Sequence, residues 1–285
     1  MNKPISESDL ILNPDGSVYH LNLLPEDLAG TVITVGDPDR VASVSKYFDR
    51  IDIRKGKREF ITHTGFIGNK RVSVISTGIG TDNIDIVLNE LDALVNIDLE
   101  SRQPKPVLQS MDIIRIGTSG SIQADIPMGT ILASGYGLGL DALMRFYESG
   151  PELPLLTAVK SHFDAVPHLQ PYLFPADPGL LQQIGAGLAT GITVTAPGFY
   201  APQGRAVRAR RTIPKLIPLL SSFNHHGHRI SNLEMETAGI YALAAVLGHR
   251  ALSVNAILAS RLSFAFEKEP QRVVDGAIQH VLERL

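Results

Sequence analysis

Cysteine and tryptophan are both absent from the 285 residues. Without cysteine there is no disulfide framework and no thiolate zinc site, and a reducing compartment is compatible. A basic excess is missing too: the net charge is -3, whereas a nucleic-acid binder needs a basic surface. No apolar run is long enough to span a membrane, because the longest such region, residues 241–260, is broken by Gly248, His249, Arg250 and Asn255. The N-terminus, MNKPISESDL, lacks the apolar core of a signal peptide, so a cytoplasmic protein is expected. What remains is ordinary for a soluble globular chain, 44% hydrophobic and 19% charged, with length for one large domain or two small ones. There is no internal repeat and no low-complexity tract.

The densest signal lies in residues 231–248, SNLEMETAGIYALAAVLG. Ser231 and Glu234 have the S-x-x-E spacing of a capping box, which predicts a helix entered from a loop. From Thr237 the residues are apolar almost all round, so the helix should be buried, with Gly248 at its C-terminal cap. Two carboxylates, Glu234 and Glu236, flank Met235 at the entrance. Burying them without partners costs several kcal/mol. Either they are solvated acids at a helix N-terminus, or one grips sugar hydroxyls while the thioether packs beneath the sugar.

The rest of the chain alternates strand and helix. Residues 1–19 read as an irregular arm with a turn at Asn13-Pro14-Asp15-Gly16. Strands are predicted over 31–35, 60–66, 71–76, 112–116, 130–134, 191–196 and 251–258, the second and third as a hairpin around Gly68-Asn69. Helices are predicted from 37–40 onward, over 82–95, 138–148 and 180–189, and from Pro270 to the end. Residues 99–110 and the proline-rich 149–178 read as loops. Such alternation is an α/β fold, and polar groups collect just after strands, where open sheets bind ligands.

Several strand ends carry candidate chemistry. Gly36-Asp37-Pro38 with Arg40 opens a helix whose N–H groups suit an anion, or is a plain turn with a surface arginine. Gly117-Thr118-Ser119-Gly120 reads as a turn aiming N–H groups at an anion, with Arg115 adding charge. No lysine follows in the Walker position and no G-x-G-x-x-G is present, so neither a nucleotide-triphosphate loop nor a dinucleotide site is expected. Phe199, Gln203 and Arg205 could stack a flat ring and bond its edge. Phe223–Arg229, FNHHGHR, has three histidines but no acidic or cysteine partner at ligand spacing, so no metal is expected. His20 taken alone reads as a packing or surface histidine.

Taken in order, YHLNL, VGDPDRV, REF, STGIG, RIGTSGSI, the Phe199–Arg205 spacing, NLEMETAGIY and Arg261 resemble the nucleoside phosphorylase family, most closely its uridine phosphorylase branch, over roughly the whole chain. The resemblance implies a single α/β/α domain over 1–285 around a mixed, barrel-like sheet. It implies a homodimer as the smallest unit, or a hexamer built of dimers. Phosphate would be held by Gly36, Arg40, Arg115 and Thr118, with Arg58 from a neighbouring subunit. The ribose would meet Thr118, Met235 and Glu236, with His20 from the neighbour. The base would lie among Ser119, Gly120, Phe199, Gln203, Arg205, Glu234 and Arg261. The reaction implied is phosphorolysis, uridine and phosphate giving uracil and ribose 1-phosphate. Arg115, Glu236 and Arg205 would carry it by charge and position. Inorganic phosphate would be the co-substrate, with no other cofactor.

The chain departs from that family in places. Ser119 stands where a second threonine is usual, Ser260-Arg261-Leu262 replaces Asn-Arg-Thr, and the loops at 99–110 and 145–178 are long. Some members bind a monovalent cation near the position of Glu59; Asp82-Asn83 differs from their sequence, and no metal is expected here. Rival readings are a purine phosphorylase, a nucleoside hydrolase of the same fold, and a non-catalytic nucleoside binder. Arg40, Arg58 and Arg115 favour phosphorolysis over hydrolysis, and the lack of an acid at 258–262 disfavours purines.

Overall fold

The computed structural model describes residues 3–285. Its contacts divide the chain into two compact units, one of residues up to Ile114 with Leu247–Arg250, the other of Arg115–Val246 with Ala251–Leu285.

In the first unit, β1 (Thr31–Val35) leads into α1 (Pro38–Ser45), then β2 (Arg50–Lys57), β3 (Phe60–Ile67), β4 (Lys70–Ser76) and α2 (Thr81–Asn96). A two-residue pair, β5 (Ile97–Asp98) with β6 (Gln103–Pro104), follows. β1 runs parallel to β4, and β4, β3 and β2 form an antiparallel ladder. The hairpin expected at Gly68 is present, with Gly68 at φ 55°. β2 was not expected from the sequence: its residues alternate between exposed and half-buried and carry charges, so it offers no apolar period to read. The predicted turn at Asn13–Gly16 closes through a bond from the Gly16 N–H to the Asn13 carbonyl.

β7 (Asp112–Ser121) then runs on into the second unit, which adds β8 (Ile131–Gly139), α3 (Pro154–His162), β9 (Tyr172–Pro175), α4 (Pro178–Gln183), β10 (Ala189–Thr195), α5 (Leu216–Ser221), β11 (Asn224–His225), β12 (His228–Glu234), α6 (Thr237–Leu247), β13 (Arg250–Ser260), β14 (Ala265–Phe266) and α7 (Pro270–Leu282). Strands β7, β13, β8, β10 and β12 close into a mixed five-strand barrel. β8, β10 and β12 are parallel, while β13 runs antiparallel to β8 and β12 antiparallel to β7. The fold is α/β with a barrel-like sheet, as the sequence implied.

Four local expectations are corrected. Residues 117–120 are not a turn but the end of β7. Residues 138–148 are not a helix; Leu138 and Gly139 end β8, where they pair with Val194 and Thr195, and only a 3-10 turn at Leu143–Arg145 follows. Gly139 is a poor helix former, and just before this stretch Gly137 lets α6 approach: a Cβ there would lie 2.7 Å from the Ala238 Cα. The stretch 149–178 holds α3 and β9, not loop alone. Ser231 and Glu234 lie in β12, so they form no capping box; the helix begins at Thr237. Its burial from Thr237 to Ala244 and its end at Gly248, φ 81°, are as predicted.

Candidate active site

Glu234 ends β12 and Glu236 enters α6, and both are buried, at 4% and 5% exposure. Their partner is Arg115, from β7, itself 5% exposed. Its Nη2 lies 3.0 Å from Glu234 Oε2 and donates a short bond to Glu236 Oε2. Its Nη1 donates to Asn255 Oδ1 at 3.1 Å. Burial lowers the Arg115 pKa, but the charges of Glu234 and Glu236 outweigh it and leave the value raised. Arg115 is therefore a fixed cation that donates to Glu236 and Asn255 and lies in ion-pair range of Glu234.

The two carboxylates do different things. Glu234 accepts from the backbone N–H groups of Glu236, at 2.9 Å, and Thr237, at 3.1 and 3.0 Å, and from Thr195 Oγ1 at 2.7 Å. Thr195 Oγ1 in turn accepts from the Ala238 N–H at 2.8 Å. Glu234 thus caps α6 from the preceding strand and favours the positive end of the helix. This local role is one that the sequence did not suggest, and it engages both Glu234 oxygens. Glu236 meets Arg115 through Oε2. Met235, half-buried, lies between the two glutamates.

Gly117 is a space for Arg115, since a Cβ there would sit 1.7 Å from Nη1. Thr118 is half-buried, while Ser119 is buried and its Oγ accepts from Asn232 Nδ2 at 2.8 Å. Gly120 lies under Arg261, whose Cδ would be 3.4 Å from a Cβ at that position. Gly117 makes room for a guanidinium group rather than bending the chain around an anion, while Gly120 has ordinary contact with the Arg261 stem.

A second group gathers after β10. Phe199 is 51% exposed, and the Arg205 guanidinium stacks on its ring at 3.7 Å. Arg205 Nη1 donates to the Phe199 carbonyl and to Gln203 Oε1, both at 2.6 Å. Gln203 is 4% exposed, and its carbonyl accepts from Arg261 Nη2 at 3.2 Å. Arg211, which the sequence did not single out, donates to the Gly204 carbonyl at 2.7 Å. Burial and then the Arg261 charge bring Arg205 down to about 10, so it stays cationic at neutral pH. Burial and then Arg211 likewise lower Arg261, whose Nε is buried with no partner. None of these three arginines has an ion pair with an acid among the described residues, so the cluster suits an electron-rich ligand edge.

In the first unit, Gly36 packs against the Gly78 carbonyl, and Arg40 stands in the first turn of α1, whose Asp37 cap accepts from the Asp39 N–H at 3.0 Å. His20 is tied to Glu90 of α2. Glu90 accepts from the backbone N–H groups of His20 and Leu21 and sits 2.6 Å from His20 Nδ1. Arg58 is exposed at φ 57° in the turn after β2, with its guanidinium 5.9 Å from the Tyr19 ring; the His20 ring lies 4.9 Å from the same ring. Glu59 accepts from the Asn83 amide at 3.3 Å. Among the described residues, no helix is long and apolar enough to cross a membrane.

The chain as a whole has counterparts among known proteins. The Phosphorylase superfamily profile matches residues 31–285. A uridine phosphorylase of Thermococcus kodakarensis is 30% identical over 279 residues, 94% of this chain and 88% of that protein. The uridine phosphorylase of Escherichia coli is 28% identical, covering 86% of each. A Trypanosoma brucei nucleoside phosphorylase with uridine phosphorylase activity superposes with a TM-score of 0.85 at 29% identity, over 97% of this chain and 99% of that one. The match takes in the barrel, the glutamate pair on its arginine and the arginine cluster after β10 together, and the chain belongs to the phosphorylase superfamily.

Proposed function

We propose that this protein catalyses phosphorolysis of a pyrimidine nucleoside, converting uridine and phosphate into uracil and ribose 1-phosphate in nucleoside salvage. The observation that carries the reading is Arg115, a buried cation braced by Glu234 and Glu236, in a chain whose relatives include uridine phosphorylases. Glu236 takes the ribose 2′- and 3′-hydroxyls, with Met235 beneath the ring. Phosphate falls to Thr118 and the remaining donors of Arg115. His20 and Arg58, in segments held against Tyr19, complete the site of a second subunit, so a homodimer is the working unit.

As the N1–C1′ bond lengthens, the sugar gains positive charge and the phosphate dianion attacks C1′. The bonding pair leaves with uracil, whose oxygens face Gln203, Arg205 and Arg261. Catalysis is electrostatic and positional, with no covalent intermediate and no cofactor beyond phosphate. The protein acts in the cytoplasm. The test is release of free base from a nucleoside panel with and without phosphate. Base formed only with phosphate is expected; equal release without it would favour a hydrolase, and saturable binding without release a non-catalytic binder.

A further inference from the structure

The barrel interior contains a chain of hydrogen bonds that passes from strand to strand, beginning and ending at different residues of β7. Arg115 of β7 donates to Asn255 of β13 at 3.1 Å, and Asn255 Nδ2 donates to Ser134 Oγ of β8 at 3.0 Å. Ser134 Oγ lies 2.6 Å from Thr193 Oγ1 of β10. Thr193 donates to Asn232 Oδ1 of β12 at 2.9 Å, and Asn232 Nδ2 donates to Ser119 Oγ at 2.8 Å, back on β7. Asn255, Ser134, Thr193 and Asn232 are all fully buried, at 0% exposure.

The direction of the bonds follows from the first member. A guanidinium can only donate, so Asn255 must turn its carbonyl oxygen to Arg115 and its amide nitrogen to Ser134. Ser134 then accepts and passes its own hydrogen to Thr193, and Thr193 passes its hydrogen to the Asn232 oxygen. Ser231 Oγ lies 2.6 Å from the same oxygen and 3.0 Å from the Ile192 carbonyl, and its single hydrogen is shared between these two acceptors. Asn232 is thereby obliged to present its amide nitrogen to Ser119. The Ser119 oxygen accepts that bond, and its hydroxyl hydrogen remains to be donated elsewhere.

We propose that Asn232 is a positioning residue that holds Ser119 as a hydrogen-bond donor to an acceptor oxygen of the bound ligand, a base carbonyl or a phosphate oxygen. This inference rests on the active-site reading above and adds to it a reason for the buried polar lining of the barrel. A hydroxyl free to rotate would accept or donate as the ligand required; one pinned by Asn232 discriminates in favour of acceptors.

The test is a mutant cycle. Asn232→Asp keeps the shape but offers only acceptors, so Ser119 must turn its hydrogen inward. Asn232→Asp and Ser119→Ala are each expected to lower kcat/KM roughly tenfold, and the double variant to be no worse than Ser119→Ala alone. Ser119→Thr, which keeps the hydroxyl, should restore activity. A rise confined to the nucleoside KM identifies the base carbonyl as the acceptor, and one confined to the phosphate KM identifies a phosphate oxygen. Losses that multiply in folded proteins, or no loss in either single variant, overturn the proposal. If Asn232→Asp does not fold, Thr193→Val enters the same cycle, with a smaller loss and the same non-additivity expected. The cycle is repeated as calorimetric binding of uridine and of inorganic phosphate, which needs no turnover. A wild-type chain that binds uridine but forms no uracil refutes the proposed reaction while the binding cycle still tests Asn232; a chain that binds neither ligand refutes both.

Discussion

Arg115 lies across the backbone of Gly117, two residues further along the same face of β7: a Cβ on residue 117 would be 1.7 Å from Nη1 and 2.3 Å from Cζ. The carboxylates of Glu234 and Glu236 fix the guanidinium there, and neither the strand nor the arginine can move away without leaving a buried charge unpaired.

Gly117→Ala should therefore displace Arg115 and cost about 3 kcal/mol of stability, together with most of the activity. Gly120→Ala is the control, because its Cβ meets Arg261 at an ordinary 3.4 Å and should be mild. Denaturant unfolding and kcat/KM on both variants check this; equal effects of the two would show that Gly117 is not a space for Arg115.

Glu234 and Glu236 should separate by what they damage. Glu234→Gln weakens the α6 cap and the buried pairing, so a stability loss of roughly 2 kcal/mol or more is expected. Glu236→Gln should leave stability nearer wild type and reduce kcat/KM roughly 10²-fold, if the ribose contact tightens in the transition state. The measurements are Tm and kinetics on both variants. Glu234→Gln hurting turnover far more than Glu236→Gln, at equal stability, would reverse the roles.

How much of this was legible varied with how local its cause was. The β3–β4 hairpin, the buried α6 and its Gly248 end follow from near neighbours, and they were read correctly. The S-x-x-E at Ser231 has helix-start spacing, but β10 pairs with those residues and holds them as strand. Glu234 still caps the helix, from a position that spacing rules do not cover. Residues 138–148 have apolar spacing that suits a helix, yet Leu138 and Gly139 are claimed by β10 and β9. The need for a partner at the glutamate pair was visible from burial cost, whereas its identity, Arg115, was not. Asn232, Asn255, Ser134 and Thr193 left no signal at all, because each meets partners from distant strands.

Acid should weaken the fold partly through His63. Burial first, and the Arg54 charge second, hold its imidazole below the ordinary 6.5, with Ser45 Oγ 2.8 Å from Nδ1. The folded state then binds the proton less readily than the unfolded chain. This contribution is complete above about pH 6.5 and is lost as pH falls through that value toward the folded one. His63→Gln should flatten that part of the profile. Urea unfolding of both proteins between about pH 8 and pH 5 reads it: their stability difference should shift with pH, and a constant difference would mean that His63 titrates alike in both states.

Uridine should be preferred over cytidine and over purine nucleosides. Uracil shows an acceptor, a donor and an acceptor along O2, N3–H and O4. Arg205 bonds Gln203 Oε1 and the Phe199 carbonyl and stacks on Phe199, so the loop carries its own orientation before any ligand arrives. Gln203 Oε1 keeps a second lone pair for N3–H, while Nε2 and the guanidinium groups supply donors to the two oxygens. Cytosine has an unprotonated N3, which would set acceptor against acceptor at Gln203 Oε1, and an amino group at position 4, which would set donor against donor, leaving buried groups unpaired. Sites of this kind reject the mismatched analogue by up to roughly 10⁴-fold. Gln203→Ala should lose that discrimination and also release Arg205. Arg205→Lys should lose both the stack and the forked contact, since an ammonium reproduces neither. The check is kcat/KM for uridine, thymidine, cytidine, inosine and adenosine in phosphate. Inosine or adenosine as the best substrate, or unchanged uridine selectivity in Gln203→Ala, would overturn this account of the base site.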